Sequence, residues 1–294
     1  MKPLLKWLGG KTQILDKILI TFPRIIRNYY EPFVGGGAIL IGLLESSIRV
    51  TGTVYAGDIN EKLIAFYNNI QQHPNLFIDE LFILKQQFAE CDHKDKNITK
   101  RNPATLEDAK YSKESYYYWV RKQYNALNVQ QHKSIKASAM LLFLNKTCFR
   151  GLYREGPNGF NAPYGNNKNP TIGTRESILT MSHLLRDVVF IHSSFDDLLE
   201  HAIIETSNFI YMDPPYFPEK KDSFVSYTAN GFTLDQHKKL STICETMKQN
   251  NIGFTLSNAN TQFVREMFPY NLIIFFLLPS VTSTPILTSF LASI

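Results

Sequence analysis

A carboxylate, two prolines and an aromatic ring stand together in the run Asp213-Pro214-Pro215-Tyr216. The run follows the hydrophobic stretch 208–212, and consecutive prolines force a chain out of a β-sheet because they cannot donate to its ladder. The carboxylate and the proline carbonyls are hydrogen-bond acceptors, and the ring offers a flat apolar face. Such a set can hold a planar amine while the ring stacks on it. On its own, the run fits equally a strand end at which Asp213 caps a turn.

A glycine-rich loop, Glu31-Pro32-Phe33-Val34-Gly35-Gly36-Gly37, lies at the end of the predicted strand 29–34. Glycines let the backbone turn tightly and approach a ligand closely. Asp58 follows the next predicted strand, 53–56, where an acid can accept hydrogen bonds from ribose hydroxyls. A dinucleotide fingerprint would need a third glycine at Leu40. The pattern therefore favours a nucleoside ligand and disfavours a nucleotide-dependent oxidoreductase.

The N-terminal run Lys6-Trp7-Leu8-Gly9-Gly10-Lys11-Thr12 ends like a phosphate-binding P-loop. The first P-loop glycine would fall at Leu5, so the phosphate cradle is incomplete and the pattern disfavours a Walker nucleotide site. A glycine pair before a helix still presents backbone N–H groups, and Lys11, to a carboxylate.

Basic residues concentrate in the middle of the chain. Residues 71–175 hold 16 Lys and Arg against 9 Asp and Glu, whereas the remainder holds 15 against 17, within a net charge of +5. Turn residues between two polar–aromatic runs predict a hairpin at about residues 145–165, where Lys146, Arg150 and Arg154 offer donors for phosphates or base edges. The excess of basic over acidic residues in 71–175 favours a polyanion-binding module. A solvated helical surface is the alternative.

Predicted strands alternate with predicted helices, which indicates a mainly parallel α/β sheet. The strands are 29–34, 53–56, 188–192, 209–212 and 253–256, and the helices are 38–45, 61–71 and 234–249. The last helix begins with a capping box formed by Thr233 and Gln236. Residues 71–175 change to amphipathic helices such as 116–127. We therefore expect a discontinuous catalytic domain, 1–70 and 176–294, interrupted by a recognition domain, 71–175.

The three cysteines are widely spaced and include no Cys-x-x-Cys pair, so we expect neither disulfides nor a metal site, and a reducing cytoplasm. The N-terminus has no long apolar core, so we expect no signal peptide and no membrane attachment.

Together these motifs resemble the Dam-like (alpha-group) class of DNA adenine-N6 methyltransferases, over about residues 5–260. The matching runs are Lys6-Trp7-x-Gly9-Gly10-Lys11, Pro32-Phe33-x-Gly35-x-Gly37, Gly57-Asp58-Ile59-Asn60, Thr147-Cys148-x-x-Gly151-Leu152-Tyr153-Arg154, Phe160-Asn161-x-Pro163, and Asp213-Pro214-Pro215-Tyr216, and similarity continues at Phe224, Tyr227 and Phe232-Thr233-Leu234. The resemblance implies a Rossmann-like, S-adenosylmethionine-dependent methyltransferase sheet with an inserted helical and hairpin DNA-recognition domain. It also implies S-adenosylmethionine as cofactor and double-stranded DNA as partner.

The resemblance assigns roles residue by residue. Asp213, Pro214 and Tyr216 are similar to the catalytic residues that hold a flipped adenine during methyl transfer, with no metal. Cofactor contacts are implied at Trp7, Lys11, Phe33, Gly35, Asp58, Phe195 and Asp213. DNA contacts are implied at Lys146, Arg150, Leu152, Arg154 and Pro163. Arg150 departs from the family pattern, since Dam itself has Asn there. Matches at Leu152, Arg154 and Pro163 favour GATC as the recognition sequence.

Several alternatives stay open at the level of sequence. The catalytic run alone also fits methylation of another planar amine, such as cytosine N4, RNA adenine or a protein glutamine amide. Residues 271–294 contain no charged residue, which departs from the family pattern of a basic loop and a late Glu. This is either a divergent ending or an altered C-terminus, and the second would leave a DNA-binding relative with impaired catalysis. Runs 272–278 and 285–291 are expected to be strands. We expect a monomer, acting either alone or beside a cognate restriction endonuclease.

Overall fold

The computed structural model describes residues 1–91, 101–166, 170–216 and 231–269, together with the backbone of 272–275 and 285–290. Its strands are β1 Ile25–Ile26, β2 Tyr29–Glu31, β3 Arg49–Val50, β4 Val54–Asp58, β5 Glu155–Gly156, β6 Gly159–Phe160, β7 Val188–His192, β8 Phe209–Met212, β9 Gly253–Ala259, β10 Leu272–Phe275 and β11 Pro285–Phe290. Its α-helices are α1 Leu15–Leu19, α2 Ala38–Glu45, α3 Glu61–Gln72, α4 Pro74–Ala89, α5 Leu106–Ala109, α6 Lys113–Asn125, α7 Ile135–Thr147, α8 Arg175–Leu185, α9 Phe195–Ala202, α10 Leu234–Gln249 and α11 Gln262–Met267.

The chain divides into two compact units. The first contains Met1, Lys11–Ile59 and Asp187–Ile294, and the second contains Lys2–Gly10 and Asn60–Arg186. The second unit is wider than the predicted 71–175 module. Helix α3 belongs to it because α3 packs on α7 and α8, and the N-terminal segment belongs to it because the Lys6 backbone bonds to Asn145.

The first unit is built on a seven-stranded sheet in the order β10-β11-β9-β8-β2-β4-β7. The five strands β9, β8, β2, β4 and β7 are parallel to one another. Strand β11 runs antiparallel to both β9 and β10, and a small parallel pair, β1 and β3, stands apart from this sheet. The predicted α/β class with a mainly parallel sheet is confirmed.

The strand order changes direction beside β2. From β2 the chain order continues through β4 to β7 on one side, while β8 and β9 lie on the other. Ligands of open α/β sheets bind outside the carboxyl ends of the strands at such a switch point. The glycine loop follows β2 and Asp213 follows β8, so the topology brings both motifs to this edge.

The ends of strands β2 and β4 differ from the predicted ones. Strand β2 ends at Glu31 because Pro32 has no N–H for the ladder. Strand β4 continues to Asp58, which pairs with His192 of β7. The capping box that starts α10 is confirmed, since both of its reciprocal hydrogen bonds form.

The charge-free C-terminal run adds strands to the sheet. Ile286 pairs with Asn258 of β9, and Phe275 of β10 pairs with Ile286 in turn. The predicted strands 272–278 and 285–291 are confirmed over 272–275 and 285–290, and the remaining positions lie outside the described residues.

The second unit is mainly helical, with a core of aromatic side chains. The Phe143 ring of α7 meets the rings of Phe88 and Tyr116 edge-on, at centroid distances of 5.3 and 5.7 Å. Strands β5 and β6 form the predicted hairpin, but it is shorter than expected. Helix α7 continues to Thr147, so Lys146 lies in the last helical turn and the hairpin begins after it.

Candidate functional site

The four-residue run after β8 holds an ion pair in the first unit. Lys11 Nζ donates to Asp213 Oδ2 at 2.5 Å, and the same nitrogen lies 4.8 Å from the centroid of the Tyr216 ring. The Lys11 side chain is 6% exposed and that of Asp213 is 19% exposed, so the pair is largely shielded from water. The structure therefore brings three of the predicted site residues together.

One oxygen of Asp213 is left available. Oδ1 is buried and makes no hydrogen bond to any described residue. The Tyr216 hydroxyl is also buried, and it lies near Asp213 and Ser257. Burial raises the pKa of Asp213, and the charge and hydrogen bond of Lys11 oppose that rise. Oδ1 is thus a buried acceptor on a carboxylate whose other oxygen is already held.

Glu31, at the end of β2, is a buried acid that the motif analysis did not single out. It is 2% exposed, and its Oε2 accepts a hydrogen bond from the Tyr29 hydroxyl at 2.7 Å. Burial, together with the nearby charge of Asp213, raises the pKa of Glu31 to about 8, although the Tyr29 hydrogen bond opposes this. Glu31 opens the glycine loop in the sequence, but nothing in its residue type signalled this burial.

Glu31→Gln is expected to remove a pH dependence of stability. The unfolded Glu31 ionises near pH 4.5 and the folded one near pH 8, so the wild type loses stability as pH rises between these values. The loss is at most about 5 kcal/mol. The free energy of unfolding from urea titrations at pH 5, 6.5 and 8 should decrease more steeply with pH for the wild type than for Glu31→Gln. The exposed Glu200 provides a control, because Glu200→Gln should retain the wild-type slope. A Glu31→Gln profile parallel to the wild type would contradict the assignment.

The glycine loop after β2 is tied to β4. The Gly35 N–H donates to Asp58 Oδ2 at 3.0 Å, and the Val34 N–H donates to the Gly57 carbonyl at 2.9 Å. Gly35 and Gly37 have φ angles of 47° and 73°, in the left-handed region that favours glycine. The predicted cofactor residues Gly35 and Asp58 are therefore in contact.

Two further predicted cofactor residues stack on each other. The rings of Phe33 and Phe195 lie 5.5 Å apart at 25°, and Phe232 meets Phe33 edge-on at 5.7 Å. Phe195 is held at the start of α9, where the Ser194 side chain caps the helix. Phe224 and Tyr227, which belong to the family resemblance, lie outside the described residues.

Trp7 lies in the second unit, stacked on a hairpin residue. Its ring is 4.6 Å from that of Tyr153 at an angle of 22°. Lys6 is also a hairpin neighbour, since a Cβ on Gly151 would come within 2.3 Å of Lys6 Cδ. Both residues stand in the N-terminal motif, and nothing in that motif indicated a contact with the hairpin.

Helix α6 holds the hairpin by polar side chains. Tyr117 and Arg121 both donate to the Ala162 carbonyl, at 2.7 and 3.0 Å. Asn125 donates to the Phe160 carbonyl and accepts from its N–H, at 3.0 and 2.9 Å. The hairpin is thus fixed to a rigid helix.

The predicted DNA-binding residues between 146 and 163 differ in their exposure and in their hydrogen bonds. Arg154 is exposed, and its Nε donates to Asn161 Oδ1 at 2.6 Å, which orients the guanidinium. Leu152 is half-buried and Pro163 is exposed, with its carbonyl bonded to the Phe149 N–H. Burial and the nearby charge of Lys6 lower the pKa of Lys146.

Arg150 stands in a strained backbone conformation. Its φ is 57°, and its guanidinium lies 5.1 Å from the ring of Phe149, which is 46% exposed. A side chain with a Cβ loses about 1–2 kcal/mol in the left-handed region, which Asn tolerates better. Strain retained at an exposed arginine points to a function for its side chain.

Arg150→Asn is therefore expected to raise the free energy of unfolding by about 1 kcal/mol and to weaken DNA binding. The slope of log affinity against log salt should become shallower by about one unit if Arg150 contacts a phosphate. Urea titration and fluorescence anisotropy at several salt concentrations measure the two effects. Arg150→Lys keeps both the charge and the Cβ, so neither quantity should change greatly. A destabilised Arg150→Asn with an unchanged salt slope would contradict both expectations.

Among the described residues, no group of three or more His, Cys, Asp or Glu side chains could hold a metal ion. The three cysteines are free thiols, and all are buried. No helix in the described ranges is both long enough and apolar enough to cross a bilayer.

Comparison with known proteins decides the family. The family model described as D12 class N6 adenine-specific DNA methyltransferase matches residues 7–274. The chain belongs to this family. The Dam-like resemblance is thereby confirmed, and so is the prediction of an enzyme that methylates adenine N6 in DNA. Of the planar amines that the sequence left open, adenine N6 in DNA is the one that the D12 class modifies.

Individual relatives support this D12 assignment, and their sequence similarity extends over about nine tenths of the chain. The Type II methyltransferase M.MjaIII of Methanocaldococcus jannaschii is 34% identical over 276 residues, covering 91% of this chain and 88% of the relative. The Type II methyltransferase M1.LlaDCHI of Lactococcus lactis subsp. cremoris is 28% identical over 272 residues, covering 91% and 84%. The DNA adenine methylase of Haemophilus influenzae is 30% identical over 270 residues, covering 91% and 82%.

Proposed function

We propose that the protein is a site-specific enzyme that transfers a methyl group from S-adenosylmethionine to N6 of an adenine flipped out of double-stranded DNA. Asp213, Pro214 and Tyr216 are its catalytic residues. The observation that carries the proposal is the buried Oδ1 of Asp213, which has no hydrogen-bond partner among the described residues, beside the Tyr216 ring. An acceptor of this kind suits a substrate amine, since a buried polar atom without a partner costs free energy until a ligand satisfies it.

The chain's own residues position the amine. Adenine N6 lies inside the duplex, so the base must leave the stack before it can react. Tyr216 then stacks on the extruded base, while Asp213 Oδ1 and the Pro214 carbonyl accept hydrogen bonds from the amino group. Conjugation with the ring makes this amine a poor nucleophile, and two acceptors draw it towards sp³ geometry and aim its lone pair. Most of the acceleration comes from positioning and electrostatics.

In this mechanism, Lys11 favours the ionised form of the Asp213 carboxyl. Burial alone would favour a protonated carboxyl, which has fewer acceptor sites. The bond from Lys11 to Oδ2 keeps the carboxylate ionised and leaves Oδ1 for the amine. Its ammonium also lies close to the Tyr216 ring, which helps to fix the stacking surface.

The cofactor residues that the resemblance predicts suit a nucleoside ligand. S-adenosylmethionine supplies, when bound, an electrophilic methyl group on a sulfonium sulfur. In the first unit, Lys11, Gly35, Asp58 and Asp213 offer polar contacts, and Phe33 and Phe195 offer stacked rings. Trp7, in the second unit, offers an aromatic face. The left-handed glycines support this assignment, because a side chain there would be strained and would narrow the approach of a ligand.

The hairpin is the proposed DNA-reading element. Arg154 and Leu152 face the target bases together with Pro163, and Lys146 and Arg150 add positive charge. Lys6 adds a further cation, because its side chain packs on Gly151. The exposed ring of Phe149 beside Arg150 is a surface on which a base can stack. GATC is the proposed recognition sequence.

We propose a monomer that works in the cytoplasm. A cognate restriction endonuclease is the proposed functional partner, since two relatives bear the name Type II methyltransferase.

Mapping of methylated bases tests the proposal. Unmethylated plasmid is incubated with the purified protein and S-adenosylmethionine, and N6-methyladenine is located by single-molecule sequencing. The expected result is complete modification of one short sequence, GATC, and of no other. Methylation of a different sequence would overturn the GATC assignment alone. Absence of N6-methyladenine in every context would overturn the proposed function.

A further inference from the structure

Asn145, on α7, ties the N-terminal segment to the hairpin. Its side chain is completely buried. Oδ1 accepts from the Lys6 N–H at 2.8 Å, and Nδ2 donates to the Lys6 carbonyl at 2.8 Å and to the Gly151 carbonyl at 3.2 Å. One amide therefore uses both of its N–H groups and its oxygen on two backbone segments that are far apart in sequence.

Two other contacts join the same segments. The side chain of Lys6 covers Gly151, which has a φ of 69° and no room for a Cβ. The Trp7 ring stacks on Tyr153 two residues further along the hairpin. Residues 6–7 are thus fixed to residues 151–153 by hydrogen bonds, packing and ring stacking.

The fixed segment continues along the chain to Lys11. Gly10 bonds back to the Trp7 carbonyl at 3.2 Å, and the next residue is Lys11, whose Nζ holds Asp213. Only three residues separate Trp7, on the hairpin side, from Lys11. Trp7, a proposed cofactor residue, is therefore held by the same contacts that hold residues 151–153 of the hairpin.

We propose that Asn145 is a positioning residue that couples DNA binding at the hairpin to cofactor binding at Trp7. This rests on the proposed function, because it takes the hairpin as the DNA-reading element. Coupling of two binding sites is reciprocal: DNA raises the affinity for the cofactor by the same factor by which the cofactor raises the affinity for DNA. Such factors are commonly about 5- to 150-fold.

The full-length protein allows a test with matched variants. Asn69 is also a buried amide of the second unit, but it bonds to Lys133 and Ser138 and touches neither segment. Asn145→Ala and Asn69→Ala each remove one buried amide, so both should lower the melting temperature. Only Asn145→Ala should alter the coupling. The variants thus separate positioning from a general loss of stability.

The measured quantity is the affinity for S-adenosylhomocysteine, by calorimetry, without DNA and with a saturating duplex that carries the mapped site. We expect the duplex to tighten binding at least about fivefold in the wild type and in Asn69→Ala, and less than about twofold in Asn145→Ala. If Asn145→Ala does not fold, Tyr153→Leu, which removes the stack on Trp7, is judged by the same criterion.

Full coupling in Asn145→Ala, or no coupling in a wild type that binds both ligands and methylates DNA, would overturn this inference and leave the proposed function intact. A wild type that binds no S-adenosylhomocysteine would overturn both.

Discussion

Replacing Asp213 with alanine is expected to lower the rate constant of methyl transfer by about 10³-fold, the upper range for loss of one preorganised polar contact to a reacting group. The variant loses the buried acceptor Oδ1 and, with it, the group that orients the adenine amine. Single-turnover kinetics with saturating cofactor and DNA measure this step directly, because they exclude product release.

Controls separate this effect from binding. DNA affinity of Asp213→Ala should remain within about threefold of the wild type, since the proposed DNA contacts lie on the hairpin. Asp213→Asn keeps one oxygen acceptor but loses the charge, so its rate should fall between those of the wild type and Asp213→Ala. A transfer rate near that of the wild type in Asp213→Ala would refute the catalytic assignment.

Lys11→Met has the second largest expected effect. Without the ammonium, burial raises the pKa of Asp213 unopposed, so a smaller fraction of the carboxyl is ionised near neutral pH. Loss of a neighbouring opposite charge commonly raises the pKa of a carboxyl by 1–3 units, so at a pH below both pKa values the ionised fraction, and with it the rate, should fall about 10- to 10³-fold. The acid limb of the pH–rate profile should move to higher pH, and the loss should be smaller at pH 9 than at pH 6.5.

The matched control for this prediction keeps the charge. Lys11→Arg retains a cation beside Asp213, so its acid limb should stay close to that of the wild type even if its rate falls. Binding of S-adenosylhomocysteine is measured for both variants, since Lys11 is also a proposed cofactor contact. An acid limb that does not move in Lys11→Met would show that Lys11 does not control the ionisation of Asp213.

Much of the sheet was predictable from the sequence because buried parallel strands are continuous apolar runs. The runs that became β7 and β8 were predicted to the residue, and helix α10 was marked by its capping box. Strand ends were less predictable. Proline ended β2 early, whereas pairing with β7 carried β4 on to Asp58, and such pairing depends on a strand far away in sequence.

The site was predictable in its residue types but less so in its contacts. Lys11 and Asp213 stand 202 positions apart, and only the fold shows that they form an ion pair. Glu31 and Asn145 attracted no functional interpretation, since a single acid or amide in a motif does not reveal whether it is buried. The Lys6 backbone bonds to Asn145, 139 positions further along the chain, and only the fold shows this contact.

The amine that Asp213 holds is expected to be N6 of adenine in duplex DNA. The most direct test is mass spectrometry of nucleosides from unmethylated duplex DNA treated with S-adenosylmethionine and either the wild type or Asp213→Ala. N6-methyldeoxyadenosine should be the sole new nucleoside with the wild type, and almost none should form with the variant. N4-methyldeoxycytidine with the wild type, or equal N6-methyldeoxyadenosine from both proteins, would contradict it.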